Sequence, residues 1–236
     1  MGTTEGFRAV MYHHWADITF VHWRYPADLI QAMLPDGLTA DTFDGSAWVG
    51  LTPFLMRDVR APGVPAVPWL SRFPETNVRT YARDARGRDG LWFLSLDAAR
   101  LPAVLAARAS YRLPYHWSDM SVTGTGARRS YRCRRRWPGP AGARADADVE
   151  LGAALTPAEH EGLAVFLTER YRLFTVIGGR VAHAEVSHPR WPLHHARLRH
   201  LDQNLVQAGG LPAPDHPPLV YASPGVRVRL GLWSFG

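Results

Sequence analysis

The rhythm of apolar and polar positions changes along this chain, and the changes mark its elements. Over residues 18–23 the two kinds mix as they do in a barrel wall, which predicts a first strand. Pro26 then opens a short helix through Met33, and Pro35, Asp36 and Gly37 make a turn. Residues 38–43 and 47–55 read as two strands joined by Asp44-Gly45, a hairpin signal because glycine tolerates the positive φ such a turn requires. Residues 60–73 hold Pro62, Pro65 and Pro68 with Trp69 and Phe73 among them, which predicts an ordered loop or lid. Two further strands are predicted over 77–83 and 91–96, linked by the polar loop 84–89.

In the second half helical spacing comes first. Leu101, Val104, Leu105 and Arg108 follow it around Pro102, giving a helix over 102–110 that Pro114 cannot continue. Thr156 as N-cap with Pro157 in the first turn predicts a helix to Arg170, its apolar face carried by Leu163, Phe166 and Leu167. Residues 172–177 and 180–186 flank Gly178-Gly179 as a hairpin, and strands over 193–201 and 226–232 complete a strand-rich final third. The stretch 138–147 reads as a loop between strands, not a linker. Hairpins with a few inserted helices, and no repeat or Gly-rich nucleotide loop, predict a single α+β domain spanning residues 1–236.

Composition narrows the chemistry. Apolar residues make up 46% of the 236 positions and nine are Trp, enough for a sizeable core with aromatic-lined space. Cys133 is the only thiol, which excludes an internal disulfide and Cys-built metal cages and fits a reducing, cytoplasmic setting. Residues 1–10 carry no signal-peptide pattern, and no apolar run is long enough to span a membrane, so no membrane partner is expected. All 27 residues counted as Lys plus Arg are Arg. Guanidinium cannot be deprotonated to act as an amine nucleophile, so imine catalysis through a side chain is closed.

The net charge of +6 would suit nucleic acid, and Tyr131 and Trp137 interleave with the basic run from Arg128 to Arg136. Alternation of Arg132, Arg134 and Arg136 along a strand equally describes a solvated sheet face, and that reading is preferred, with no nucleic-acid partner. Eleven His residues include no HExxH-like spacing. A strand from 193 to 201 would place His194 and His200 on one face, and a site from His183 and His188 is the only metal arrangement considered. Hydrogen-bonding or solvated His is preferred, so neither metal nor cofactor is expected.

The most informative segment is 73–81, FPETNVRTY. Alternation puts Glu75, Asn77, Arg79 and Tyr81 on one face and Thr76, Val78 and Thr80 on the other. The polar face either meets solvent or forms the inner wall of a ligand cavity. In the second case Glu75 would do acid–base work and Arg79 would grip a carboxylate or oxyanion.

FPETNVRTY is joined in order by WFLSLDA, RASYRLPY, FLTERYRLF and HPRWPL, after an opening HWRYPADLIQAMLPDGL and FDGSAWVGLTPF. Together these motifs resemble the YqjF-like family of bacterial proteins over nearly the whole chain. The resemblance implies membership of the acetoacetate decarboxylase-like superfamily, hence a closed or nearly closed antiparallel β-barrel, cone-like around a buried site, with two or three peripheral helices. Acetoacetate decarboxylases carry an Arg, a Pro six positions on, and then two lysines, the first forming the imine. Here Arg108 and Pro114 keep that spacing, but Tyr115 and His116 stand in the lysine places.

By the same resemblance Glu75 matches a pocket carboxylate and Arg24 an early pocket arginine. The implied site uses Glu75, Tyr115 and His116 for chemistry and Arg24, Asn77, Arg79, Arg108 and Tyr81 for binding. Its substrate would be a small carbonyl or carboxylate metabolite, with Arg24 or Arg79 holding the carboxylate, Glu75 moving a proton and Tyr115 or His116 stabilising an enolate oxygen. Lyase, dehydratase, isomerase and cyclase chemistry all fit, and a non-catalytic binding or sensing protein with the same cavity is the alternative. Superfamily habit also implies a homodimer.

Overall fold

The computed structural model describes residues 7–235. Its elements are, in chain order, β1 (Met11–Tyr25), α1 (Ala27–Gln31), β2 (Leu38–Ala40), β3 (Ala47–Arg60), β4 (Phe73–Asp84), β5 (Asp89–Ala98), α2 (Leu101–Ser110), β6 (Tyr115–Thr125), β7 (Arg128–Trp137), β8 (Arg144–Ala154), α3 (Leu163–Thr168), β9 (Arg172–Ile177), β10 (Arg180–Ser187), β11 (His194–Gln203), α4 (Leu205–Ala208) and β12 (Leu219–Phe235). The fold is therefore mostly sheet, and α2 is the longest of four short helices. Among the described residues no helix is long and apolar enough to cross a membrane.

All twelve strands belong to one sheet, and its pairings close twice. β5, β4, β3, β1 and β12 form a shared wall. β10 and β9 complete a ring of seven strands on one side of it, and β11, β8, β7 and β6 complete a ring of nine on the other. Expectation and structure differ in sense at two places, because β5 meets both β6 and β9 in parallel. The shared wall has both faces covered, so ten consecutive residues of β3 are buried, and side-chain alternation there separates two interiors instead of core from solvent. Ile18, Phe20, Phe54 and Phe93 face the first interior, while Val21, Val49, Leu51 and Val78 pack with Cys133 and the α4 residues Leu205 and Val206 in the second.

A bulge sets which β1 residues face the first interior. Asp17 takes φ 49°, shifting the register with β3 so that Trp15 and Ile18, three residues apart, join one core cluster. Its carboxylate is held by Arg57 at 3.1 Å and Arg129 at 2.9 Å.

The Asp44-Gly45 turn is present, with φ of 50° and 74° and backbone bonds exchanged between Phe43 and Ser46, but its arms do not pair as a hairpin. β2 and β3 instead lie end to end along the same edge of β4, at Ala40↔Ala82 and Val49↔Thr80, because Leu38 buries against Ala82 and Phe174. The predicted helix 156–170 is also broken. Thr156 and Glu159 make a reciprocal cap, Glu159 accepting from the Thr156 N–H at 2.8 Å and donating its own N–H to Oγ1 at 3.4 Å. Only one turn follows before Gly162 at φ 49° interrupts, and α3 starts anew. The Gly178-Gly179 hairpin forms as predicted, with Arg180 opposite Ile177.

The basic strand β7 is neutralised. Arg132, Arg134 and Arg136 pair with Asp148, Asp146 and Asp119 at 2.9, 2.6 and 3.0 Å, while Cys133 and Arg135 turn inward. In β11 an irregularity between Leu198 and His200 breaks the alternation expected to align His194 with His200.

Gly50 of β3 lies opposite both His22 and Arg79, and a Cβ there would come within 2.9 Å of His22 Nε2, which contacts the Tyr81 hydroxyl at 2.7 Å. Gly50→Ala is expected to displace that imidazole and lower stability by about 1–3 kcal/mol in urea unfolding. An unchanged midpoint would mean that His22 yields without cost.

Candidate active site

The seven-strand ring is not filled. It encloses a cavity of about 270 Å³ whose apolar walls include Trp15, Phe54, Met56, Leu91 and Phe93. One border is α2, which turns Ala103, Ala106, Ala107 and Ser110 towards the space. Those small side chains leave room at the helix face, a feature the helical spacing alone did not single out. Of the nine Trp residues, Trp15 is the one that lines this cavity.

Three polar groups enter from β4. Glu75, Asn77 and Arg79 alternate with the covered Thr76, Val78 and Thr80, so the polar face of 73–81 is an inner wall. Tyr115, the first residue of β6, completes the group by donating its hydroxyl to Glu75 Oε2 at 3.2 Å. Burial raises the Glu75 carboxyl from 4.5 to about 8, with the Asp97 charge adding to the rise and the Tyr115 bond opposing it. Burial likewise holds the Tyr115 phenol well above its ordinary value. Both groups are therefore neutral at pH 7.

Arg79 lies deeper. It is 5% exposed, its Nη2 donates to the Leu167 carbonyl at 3.4 Å, the Tyr81 side chain is a further hydrogen-bonding neighbour, its Nε has no partner, and its guanidinium lies 5.4 Å from the Phe20 ring centre. Among the described residues no carboxylate pairs with it, although a buried guanidinium ordinarily has one. Burial is the main cause lowering its pKa, and the nearby Arg170 charge adds to it. Asn77 Oδ1 is also buried without a partner. His13, which sequence reasoning did not place in the site, lines the cavity from β1, accepts from the Trp15 indole at 3.4 Å and is pushed by burial to about 4. The signal for it lay in the alternation Met11, His13, Trp15.

The remaining expected site residues are elsewhere. Arg24 has the inward parity of His22, but β1 carries it beyond the cavity, where it is exposed beside the Trp48 ring at 5.2 Å. Tyr81 is buried outside the lining, donating to the Leu167 carbonyl at 2.7 Å and meeting His22 Nε2 at 2.7 Å. Arg108 points away from the cavity, packs over Trp137 and donates to the Tyr115 carbonyl at 2.6 Å, so it acts on the Tyr115 backbone and not on the enclosed space. His116 alternates away from Tyr115 and bonds the Pro138 carbonyl at 2.8 Å.

The late His residues do not converge. His183 Nε2 contacts Arg88 and Ser234, each at 3.2 Å, and His188 is held by the Pro189 and Arg170 carbonyls. Among the described residues no three His, Cys, Asp or Glu side chains come together as a metal group.

Comparison with known proteins accords with this architecture. The chain is 34% identical to the protein YqjF of Bacillus subtilis (strain 168) over 218 residues, covering 90% of this chain and 86% of that one. Acetoacetate decarboxylase from Legionella pneumophila superposes with a TM-score of 0.67 at 11% identity, covering 100% of this chain and 90% of the other. The enduracididine biosynthesis enzyme MppR gives 0.66 at 15% identity, covering 97% and 88%. At such identities the likeness establishes the fold and leaves activity to the residues. A family match spans residues 12–227, and the chain belongs to DUF2071, a family of uncharacterized conserved proteins.

Proposed function

We propose that this chain is a small-molecule enzyme that moves protons on a carbonyl compound bearing a carboxylate and an apolar body, with no lysine imine and no cofactor. The observation that carries this reading is Arg79, a buried guanidinium without a carboxylate partner in the cavity wall that also holds a neutral Glu75. A substrate carboxylate would supply the missing charge, with Asn77 beside it as a further hydrogen-bonding group. Glu75, protonated at pH 7, donates its carboxyl proton to the substrate carbonyl oxygen, and the carboxylate so formed takes the proton from the α-carbon, giving the enol with Glu75 neutral again; the reverse transfers restore the carbonyl, while Tyr115 orients the carboxyl through Oε2.

MppR, with the same fold, has been solved with pyruvate, which carries both functional groups. The mainly apolar walls favour a substrate with more hydrocarbon than that. Closure of the twelve strands in one sheet supports a single domain built around this site.

Calorimetry with phenylpyruvate tests the seat of the carboxylate. Arg79→Gln is expected to weaken binding about 100-fold, the scale of losing a charge-assisted pair in a dry site, and equal affinity would remove Arg79 from the site. Incubation with a metabolite extract, followed by mass, tests catalysis. Consumption of a compound by wild type but not by Glu75→Gln supports the enzyme, whereas retention without a mass change would make the protein a binder.

A further inference from the structure

The wall of the seven-strand ring has a slot in it. β5 pairs with β9 at Leu91 and Trp92 and with β6 from Leu96 to Ala98, and between those stretches, over 93–95, β4 is its only strand partner among the described residues. The departing strands leave an outer groove of about 480 Å³ bordered by Trp92, Leu94, Arg108, Arg112, Pro114 and Thr175. Phe93 and Leu113 line both this groove and the internal cavity, so these two side chains form the partition between them. Directly across the sheet from Phe93 is Arg79, the unpaired cation of the interior.

The groove is cationic as well. Arg108 bonds only a backbone carbonyl and stacks on Trp137, and Arg112 is exposed at a left-handed φ of 54°. Among the described residues neither has a carboxylate partner. The other border of the cavity, along α2, presents Met11, Val59, Phe73, Ala103 and Ala106, with no cation. An anion approaching from the slot meets two guanidinium groups outside and a third immediately behind an apolar partition two side chains wide.

We propose that the slot is a side port through which a small carboxylate reaches Arg79, Arg108 and Arg112 collecting the anion and Phe93 and Leu113 serving as the door. This rests on the reading of Arg79 as the carboxylate's seat. Cations at the mouth raise the encounter rate of an anion, and salt screens the effect. A door acts on the rates of arrival and departure together, and its side chains touch the bound ligand only from the cavity side.

Stopped-flow binding of phenylpyruvate, read by tryptophan fluorescence, tests the port. Arg112→Glu is expected to slow association about tenfold or more at low ionic strength, with the difference shrinking as salt rises. Leu113→Ala is expected to speed association and dissociation together and Leu113→Phe to slow both, with each rate changing by more than Kd does, since Leu113 also lines the cavity. The alanine variant keeps the door testable should the phenylalanine variant not fold. If all three variants match wild type while Arg79→Gln loses binding, the ligand passes α2 instead, and the port falls while the seat stands. Wild-type affinity in Arg79→Gln, or no binding of phenylpyruvate by the wild type, overturns seat and port together.

Discussion

Glu75→Gln is expected to flatten the pH dependence of stability, with thermal melting of the variant exceeding that of the wild type by a margin that widens from pH 5 to about pH 8 and is level above it. The folded carboxyl keeps its proton to about pH 8, whereas an ordinary one releases it near 4.5. Between those values the folded state binds a proton that the unfolded state does not, so each step up in pH favours unfolding. The contribution is whole below about 4.5, declines through the interval and is gone above about 8. At about 1.4 kcal/mol for each pH unit, the interval amounts to on the order of 4–5 kcal/mol. For a chain of this length that is roughly 10 °C in Tm. Glutamine keeps the shape and cannot ionise, so the slope disappears with it. Parallel melting profiles for the two proteins would mean that Glu75 ionises normally in the fold, and its role as a neutral acid would be lost with that result.

The second large effect belongs to Asp97. Its carboxylate and the Arg135 guanidinium have side chains 0% and 1% exposed, joined at 2.9 and 2.7 Å, with the Ser118 hydroxyl donating to the same carboxylate at 2.7 Å. Asp97→Asn leaves Arg135 charged and unpaired in the interior, which is expected to cost about 3–5 kcal/mol in denaturant unfolding. Adding Arg135→Met removes the stranded charge and is expected to recover most of that loss. Because the Asp97 charge also helps keep Glu75 protonated, Asp97→Asn should lower the pH at which Glu75 titrates. A single variant as stable as wild type would mean that water reaches Arg135 and that the pair is not dry.

How much of this was legible beforehand depended on whether a signal was local. The hairpin at Gly178-Gly179 and helix α2 carry their instructions in consecutive residues, and both were read correctly. The Asp44-Gly45 turn was equally local and was found, yet both its arms belong to the edge of a third strand further along the chain, which turn chemistry does not encode. The helix from Thr156 failed at Gly162, where a periodic pattern hid one residue with a left-handed backbone.

The site divides in the same way. Glu75, Asn77 and Arg79 share a face by alternation within one strand, which the chain states outright. Which side that face meets depends on closure of the sheet, and here the resemblance supplied what periodicity could not. Arg24 and Arg108 were placed by family resemblance, and a matched motif says nothing of how far a strand runs past a cavity or which way the last turn of a helix points. His13 was missed because the predicted first strand began at residue 18, whereas β1 begins at Met11 and the bulge at Asp17 keeps the parity of 18–23 from being carried back to it.

The five-strand wall common to both rings has a mechanical meaning. Asn77 and Arg79 point into one compartment, while Val78, between them on the same backbone, points into the other. Neither interior can be repacked in isolation, since a shift of β4 that relieves crowding among Val49, Leu51 and Cys133 tilts the guanidinium and carboxyl on its reverse. The second compartment thus acts as the anvil against which the cavity is shaped, and sequence drift in it is limited by side chains it never meets.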